Sequence, residues 1–240
     1  HEANPLKLEN LVDCQNAVKR TKADFGVCFD GDADRLAFID DNGDVIPCDQ
    51  IVALFALEYL KQKPGSHILF DLRSSIAVGE VIKENGGTGE LCRVGHSHIK
   101  KAMRESNAVF AGELSGHYYF SENYNCDSGA IALMFALRML SSTGKKLSEL
   151  RKGVSRYWQS GEINFEVHDT AAVMKRLEET YGKQAVDILR IDGLRFDMGS
   201  WWFNVRPSNT EPIVRLNLES LTSADDCKKH KDDVVKIIMG

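Results

Sequence analysis

At 240 residues and 43% apolar composition, the chain carries enough hydrophobic side chains for one large core or two moderate ones, and its length favours about two domains. A net charge of −5, with lysines and arginines scattered instead of gathered into a stripe, argues against a nucleic-acid partner. The densest apolar stretches, Ile51–Leu57 and Ala130–Leu137, are too short to cross a bilayer, and six cysteines without a C-x-x-C pair read as buried thiols of a cytoplasmic protein.

Leu8, Leu11, Val12, Cys14 and Val18 predict an amphipathic helix over 6–20, followed by a strand over 25–29 that stops at Asp30. Residues 36–39 and 45–47 flank Asp40-Asp41-Asn42-Gly43-Asp44, whose Asn-Gly pair predicts the positive φ values of a tight hairpin turn. Then the period alternates. A helix over 49–62 ends at Pro64-Gly65, a strand spans 67–72, a helix spans 75–84, and Asn85-Gly86-Gly87 ends it. Strand 89–94, helix 97–105, strands 108–113 and 117–121 and helix 129–141 continue the pattern and predict a mixed-sheet α/β domain. Residues 142–157 read as a connection. Beyond it, strand 161–167, helix 170–181, strands near 186–191, 194–198, 201–205 and 213–218 and helix 223–238 predict a smaller α+β domain, its consecutive strands antiparallel with helices on one face.

Asp30, Asp32 and Asp34 stand on alternate positions of Phe-Asp-Gly-Asp-Ala-Asp-Arg. Two unit charges ~4–5 Å apart repel by roughly 3–4 kcal/mol at an effective dielectric near 20, so three in one turn call for a cation. A hard divalent ion with oxygen ligands, Mg²⁺ before Ca²⁺, answers that charge, with Arg35 alongside to meet a phosphate. The alternative is a solvated acidic turn. An EF-hand would need Gly and Glu where Arg35 and Asp41 stand, and an aspartyl phosphatase would have Thr or Val in place of Asp34.

Three further loops carry polar groups. In Gly112-Glu-Leu-Ser-Gly-His117, Glu113 and Ser115 can read a vicinal diol and His117 can add a contact to hydroxyl or phosphate, unless the segment is a hairpin turn with incidental polar residues. Arg206-Pro-Ser-Asn-Thr-Glu-Pro212 offers the Arg206 guanidinium, the Ser208 and Thr210 hydroxyls and the Asn209 amide as a phosphate cup stiffened by two prolines; a plain turn is the alternative. In Arg93-Val-Gly-His-Ser-His-Ile-Lys100, His96 at a helix start is the natural proton carrier, whereas a capping turn with Ser97 needs no chemistry. His98 reads as structural.

Read together, FDGDADR, GELSGH, VGHSHIK and RPSNTEP resemble the metal-binding, sugar-binding (commonly GEMSGH, with Leu114 here for Met), active-site and phosphate-binding loops of the α-D-phosphohexomutases, the phosphomannomutase and phosphoglucomutase superfamily. The resemblance implies the end of that family's second domain over 1–44, its third domain over 45–150, and its TATA-box-binding-protein-like fourth domain over 155–240. It also implies Mg²⁺ on Asp30, Asp32 and Asp34, His96 as the active-site histidine, and Arg73 where relatives place a Lys or Arg engaged in acid or base work. The family's phosphoserine loop, of the T-A-S-H-N kind, does not occur in these residues, and a chain that opens at His1 in mid-pattern reads as a fragment lacking the enzyme's N-terminal half. The implied reaction interconverts mannose or glucose 1-phosphate and 6-phosphate through a bisphosphorylated sugar, with Arg35 and Mg²⁺ stabilising the transferred oxygens. Two other functions stay open: a non-catalytic module that binds sugar phosphates, and a metal-dependent phosphatase.

Overall fold

A 3-10 turn (Leu8–Leu11) runs into α1 (Val12–Thr21), which covers β1 (Gly26–Phe29). The computed structural model describes residues 2–208 and 211–240, and contacts divide it into His1–Ser155 and Arg156–Gly240. The helix predicted over 6–20 starts late because its first turns have no core to face: Leu8 is 63% exposed, while Leu11 and Val18 are buried.

In the first unit β1, β2 (Leu36–Ile39) and β3 (Val45–Ile46) form a small antiparallel sheet. The β2–β3 turn corrects one expectation. Gly43 alone has positive φ; the turn is held by Gly43 N donating to Asp40 O and by Asp40 Oδ1 accepting from the amides of Asn42 and Asp44, so Asn42 is spared the left-handed region.

Then follow α2 (Cys48–Gln62), β4 (His67–Asp71), α3 (Ile76–Glu84), β5 (Thr88–Cys92), α4 (His96–Ser106), β6 (Phe110–Gly112), β7 (Tyr118–Phe120), β8 (Cys126–Asp127), α5 (Gly129–Thr143) and α6 (Leu147–Arg151). The sheet order is β5-β4-β6-β7-β8, parallel across the first three strands and antiparallel across the last three. β8, two residues long, escaped the sequence pattern because so short a strand has no period to read. Helix α2 is apolar on nearly every side, as a helix inside a core must be. Its Phe55 ring lies 6.0 Å from Phe38 of the small sheet, 5.5 Å from Tyr118, 5.9 Å from Phe110 and 4.9 Å from Phe135 of α5, in a core shared by the small sheet, one face of the larger sheet and α5, while α4 and α1 cover smaller clusters on the opposite faces.

The second unit holds β9 (Trp158–Gln159), β10 (Ile163–Glu166), α7 (Thr170–Tyr181), β11 (Asp187–Leu189), β12 (Leu194–Asp197), β13 (Trp201–Pro207), β14 (Ile213–Ser220) and α8 (Ala224–Met239). Its sheet runs β10-β14-β13-β12-β11, all antiparallel, with β9 also on β14. Period-2 alternation sends Phe196, Phe203, Val205, Leu216 and Leu218 against α7 and α8. Arg195, Trp202, Asn204, Asn217 and Glu219 occupy the other face and are buried too, with Trp202 donating its indole N–H to Glu219 and receiving the Arg195 guanidinium on its ring. All six cysteines are free thiols, and no helix among the described residues is long and apolar enough to cross a membrane.

Candidate active site

The β1–β2 turn brings ligand oxygens of Asp30, Asp32 and Asp34 within 4.8 Å of one another. Ala33 makes this possible by adopting φ +62°, a left-handed conformation that curls the backbone so that alternate side chains converge. The loop is held from outside: Ala33 O accepts from Gly129 N at the start of α5, and a Cβ on Gly129 would come within 2.8 Å of that same oxygen. Asp30 is buried, and its oxygens accept from the Arg35 amide (3.1 Å) and Arg35 Nε (2.7 Å). Burial works to raise its pKa, but these bonds from Arg35 outweigh it and hold the carboxyl below the usual range. Asp34 goes the other way: burial raises it, against the pull of His117, and the charges of Asp30 and Asp32 raise it further.

Mg²⁺ fits this donor set. Three short carboxylates converge, and Asp34 Oδ1 is a buried oxygen without a hydrogen-bond partner, a costly state that a cation relieves. Arg35 uses one lone pair on each Asp30 oxygen and leaves another on each for a metal. The expected consequence is measurable by melting. Asp34→Asn should leave the metal-free chain as stable as the parent or more so, whereas Mg²⁺ at ten times its Kd should stabilise the parent by about 1.4 kcal/mol and the variant far less. Equal Mg²⁺ responses, at matched ionic strength, would remove Asp34 from the metal site.

The 112–117 loop is stitched to this turn. Leu36 N donates to Gly116 O (3.0 Å), Arg35 and His117 form an isolated antiparallel bridge, and Gly116 takes φ +90°, a conformation that strains any side chain, with a Cβ there only 3.3 Å from Leu36 O. His117 thereby reaches Asp34 Oδ2 at 3.6 Å with Nε2, while Nδ1 meets Ser115 Oγ at 2.9 Å and Glu113 Oε2 at 3.2 Å. Burial would push the imidazole down, but the Glu113 hydrogen bond and the charges of Glu113, Asp34 and Asp127 outweigh it and hold its pKa above the ordinary value.

Glu113 sits deeper than the diol-reading role suggests, at 2% exposure. Its Oε1 accepts from Gly95 N (2.9 Å), and its Oε2 accepts from Tyr119 OH (2.6 Å). Burial opposes its charge, yet the bonds from His117, Tyr119 and Gly95 and the nearby Arg73 bring its pKa from the ordinary 4.5 down to about 2. Ser115, half-buried, is the more open polar group of the loop. Arg73 is 5% exposed and clamped by Asp71, Nη2 to Oδ2 at 2.7 Å and Nε to Oδ1 at 3.3 Å, with Glu113 Oε1 at 3.9 Å. A guanidinium fixed this way acts as a charge and a donor.

His96 opens α4, exposed, directly after Gly95, whose amide bonds Glu113. The cap of α4 is Gly95 at φ +113° with no side-chain bond, so Ser97 is not the cap, and His98 is exposed. Within the first unit the fold thus gathers Asp30, Asp34, Arg35, Arg73, Glu113, Ser115 and His117, with Asp32 exposed on the same turn. Three members escaped the sequence reading: Asp71, Tyr119 and Asp127, the last 3.9 Å from His117 Nε2 and paired to Lys100 at 2.7 Å. Asp71 had a readable signal, since it ends a strand of a parallel sheet, where ligands of α/β folds collect. Asp127 had none.

The phosphate-cup residues belong to the second unit. Arg206 lies near the end of β13, 15% exposed, with Asp192 at 3.5 Å and Glu162 at 3.9 Å. Ser208 N donates to Ile213 O (2.9 Å), closing the base of the turn. Asn209 and Thr210 lie outside the described residues.

Sequence comparison adds an independent line. Family models for domain II, domain III and the C-terminal domain of phosphoglucomutase/phosphomannomutase match residues 1–43, 47–157 and 162–237. The chain is 44% identical over 237 residues to a phosphomannomutase of Methanocaldococcus jannaschii, covering 99% of this chain and 51% of that protein. It is 38% identical over 218 residues to the Escherichia coli K12 phosphomannomutase, covering 90% and 48%. A phosphoglucomutase/phosphomannomutase family protein from Burkholderia thailandensis superposes with a TM-score of 0.87 at 31% identity, over 99% of this chain and 51% of that one. The chain spans about half the length of the relatives it matches. With three domain models following one another in family order, and relatives aligned along nearly all of it, the chain belongs to the phosphoglucomutase/phosphomannomutase family.

Proposed function

We propose that the chain supplies the metal, sugar and phosphate sites of a phosphohexomutase interconverting hexose 1-phosphate and 6-phosphate, mannose or glucose, through a bisphosphorylated sugar and a phosphoserine carried outside these 240 residues. The observation that carries this reading is the Asp30–Asp32–Asp34 cluster, with a buried Asp34 oxygen that makes no hydrogen bond and lies 4.0 Å from Arg35 Nε, set against the His117 end of the GELSGH loop. Mg²⁺ held by those carboxylates would neutralise charge on a transferring phosphoryl group. Arg35, anchored by Asp30 and 26% exposed, lends a second positive charge beside the same turn. A histidine moves the proton of the attacking or leaving hydroxyl. His117 is favoured over His96 by its position against the metal turn and by Glu113 and Asp34, which stabilise the imidazolium it becomes on taking a proton. Ser115 orients a sugar hydroxyl, and Arg206 and Ser208 bind the phosphate that is not reacting.

Two measurements test this. The 240-residue chain alone should not interconvert mannose 1-phosphate and 6-phosphate, whereas the chain fused behind the N-terminal half of the Methanocaldococcus jannaschii phosphomannomutase should do so with Mg²⁺. A folded but inactive fusion favours a sugar-phosphate-binding module. Calorimetry of the chain with mannose 1-phosphate should detect weak binding, and Arg206→Ala should cost on the order of 1.5–3 kcal/mol of it, or roughly 10- to 150-fold in Kd. Unchanged affinity would show that the 206–212 turn is not the phosphate cup.

A further inference from the structure

We infer that Asp192, in the turn between β11 and β12, is a positioning residue for Arg206, fixing the guanidinium before phosphate arrives; the inference rests on the proposed phosphate role of Arg206. The geometry is unusually constrained at the backbone. Gly193 has φ +71°, and a Cβ there would lie 2.3 Å from Val205 O and 2.8 Å from Arg206 Cα, so the turn lies flat on β13 at the residue that carries the guanidinium. Asn204, fully buried, donates its side-chain amide to Asp192 O (3.4 Å) and Leu194 O (3.2 Å), holding the turn from the other side. The β12–β13 register, Leu194 opposite Val205, repeats the alignment along the ladder. Asp192 is therefore not a surface acid that happens to reach an arginine.

Its carboxylate ends 3.5 Å from Arg206 Nη1, and Glu162 ends 3.9 Å from Nη2 and 4.0 Å from Arg215 Nη1. Arg206 and Arg215 are cross-strand partners, and like charges directly opposite are destabilising unless something negative lies between them. Glu162 answers that repulsion from one end and Asp192 from the other. A long arginine side chain loses rotamer entropy when it is fixed, and holding it beforehand removes much of that cost from ligand binding.

The test is a double-mutant cycle on the 240-residue chain, read by mannose 1-phosphate titration with inorganic phosphate as a second probe. Asp192→Ala should weaken both ligands about fivefold or more, and Asp192→Asn, which keeps an acceptor oxygen, should recover at least half of the loss on a logarithmic scale. In the Arg206→Ala background Asp192→Ala should change nothing further. The Arg206 Nε–H resonance should show greater mobility in Asp192→Ala while tryptophan fluorescence, which reports the second unit through Trp158, Trp201 and Trp202, keeps the parent's melting point. Binding unchanged or tightened in Asp192→Ala overturns the inference, because the carboxylate would then be idle or competing with phosphate. An equal loss in the Arg206→Ala background also overturns it, since the role would be scaffolding. If Asp192→Ala does not fold, Asp192→Asn runs the same cycle, and a loss that persists without Arg206 has the same meaning. Should Arg206→Ala itself bind like the parent, the phosphate-cup reading fails first and takes the inference with it.

Discussion

Asp71→Ala is expected to destabilise the first unit by about 3–5 kcal/mol, the usual cost of removing one partner of a buried ion pair. Asp71 is fully buried and accepts from the Arg73 amide (2.7 Å), the Arg73 guanidinium and the Leu114 amide (2.8 Å), so it ties the end of β4 to the 112–117 loop. Without it, Arg73 stays buried and loses its bidentate clamp, with the Glu113 carboxylate at 3.9 Å. For a unit of this size the loss corresponds to a fall of about 6–20 °C in melting temperature. All three tryptophans lie in the second unit, so fluorescence should keep its parental melting point while circular dichroism shows an early loss of structure. Amide exchange at Leu114 should accelerate. A far-UV melt within 1 °C of the parent would mean that this network contributes little.

Glu113→Gln should cost on the order of 3 kcal/mol, and the cost should depend on pH in a specified direction. In the parent Glu113 is depressed from 4.5 to about 2, so its contribution is complete above pH 4.5 and disappears as pH falls toward 2. His117 is raised, so its contribution is complete below its unfolded value, near 6.5, and disappears as pH rises through the folded one. The pair is therefore fully stabilising between roughly pH 4.5 and 6.5, and parent and variant should differ most there and less at higher pH. The substitution replaces a buried anion that three donors face with a neutral amide, and His117 loses the strongest support for its proton. NMR titration of the imidazole in chelator should show a lower pKa in the variant. A pKa unchanged within the error of the titration would detach His117 from Glu113.

The site was legible in unequal parts. The acidic turn could be read from three charges on alternate positions because like charges in one short segment need a counter-ion wherever the segment sits. The period of the chain also carried most helices and strands, since burial of one face is written locally. Two-residue strands such as β8 and β9 lie below that reading, and Leu8 shows its other limit: an apolar residue at the right spacing stays exposed when nothing packs on it.

What the sequence determined by itself is chemistry held within a loop: the Asp30–Asp32–Asp34 cluster, the glycine-eased GELSGH turn, and a donor-rich segment around Arg206 and Ser208. Which groups stand in contact was decided only by the tertiary structure. Glu113 reads as an outward acceptor, yet Tyr119, Gly95 and His117 converge on it and make it a buried anion. Arg73 reads as the basic residue that relatives place at this strand end, and only the fold shows that Asp71 clamps it. Asp192 and Asp127 carry no motif at all; the first meets Arg206 because Gly193 lets a turn lie on β13, and the second meets His117 because β8 pairs with β7. The physical reason is one of range. Covalent spacing sets which charges must share a turn, whereas the partner that keeps a buried charge ionised comes from a distant strand and exists only once the sheet has formed.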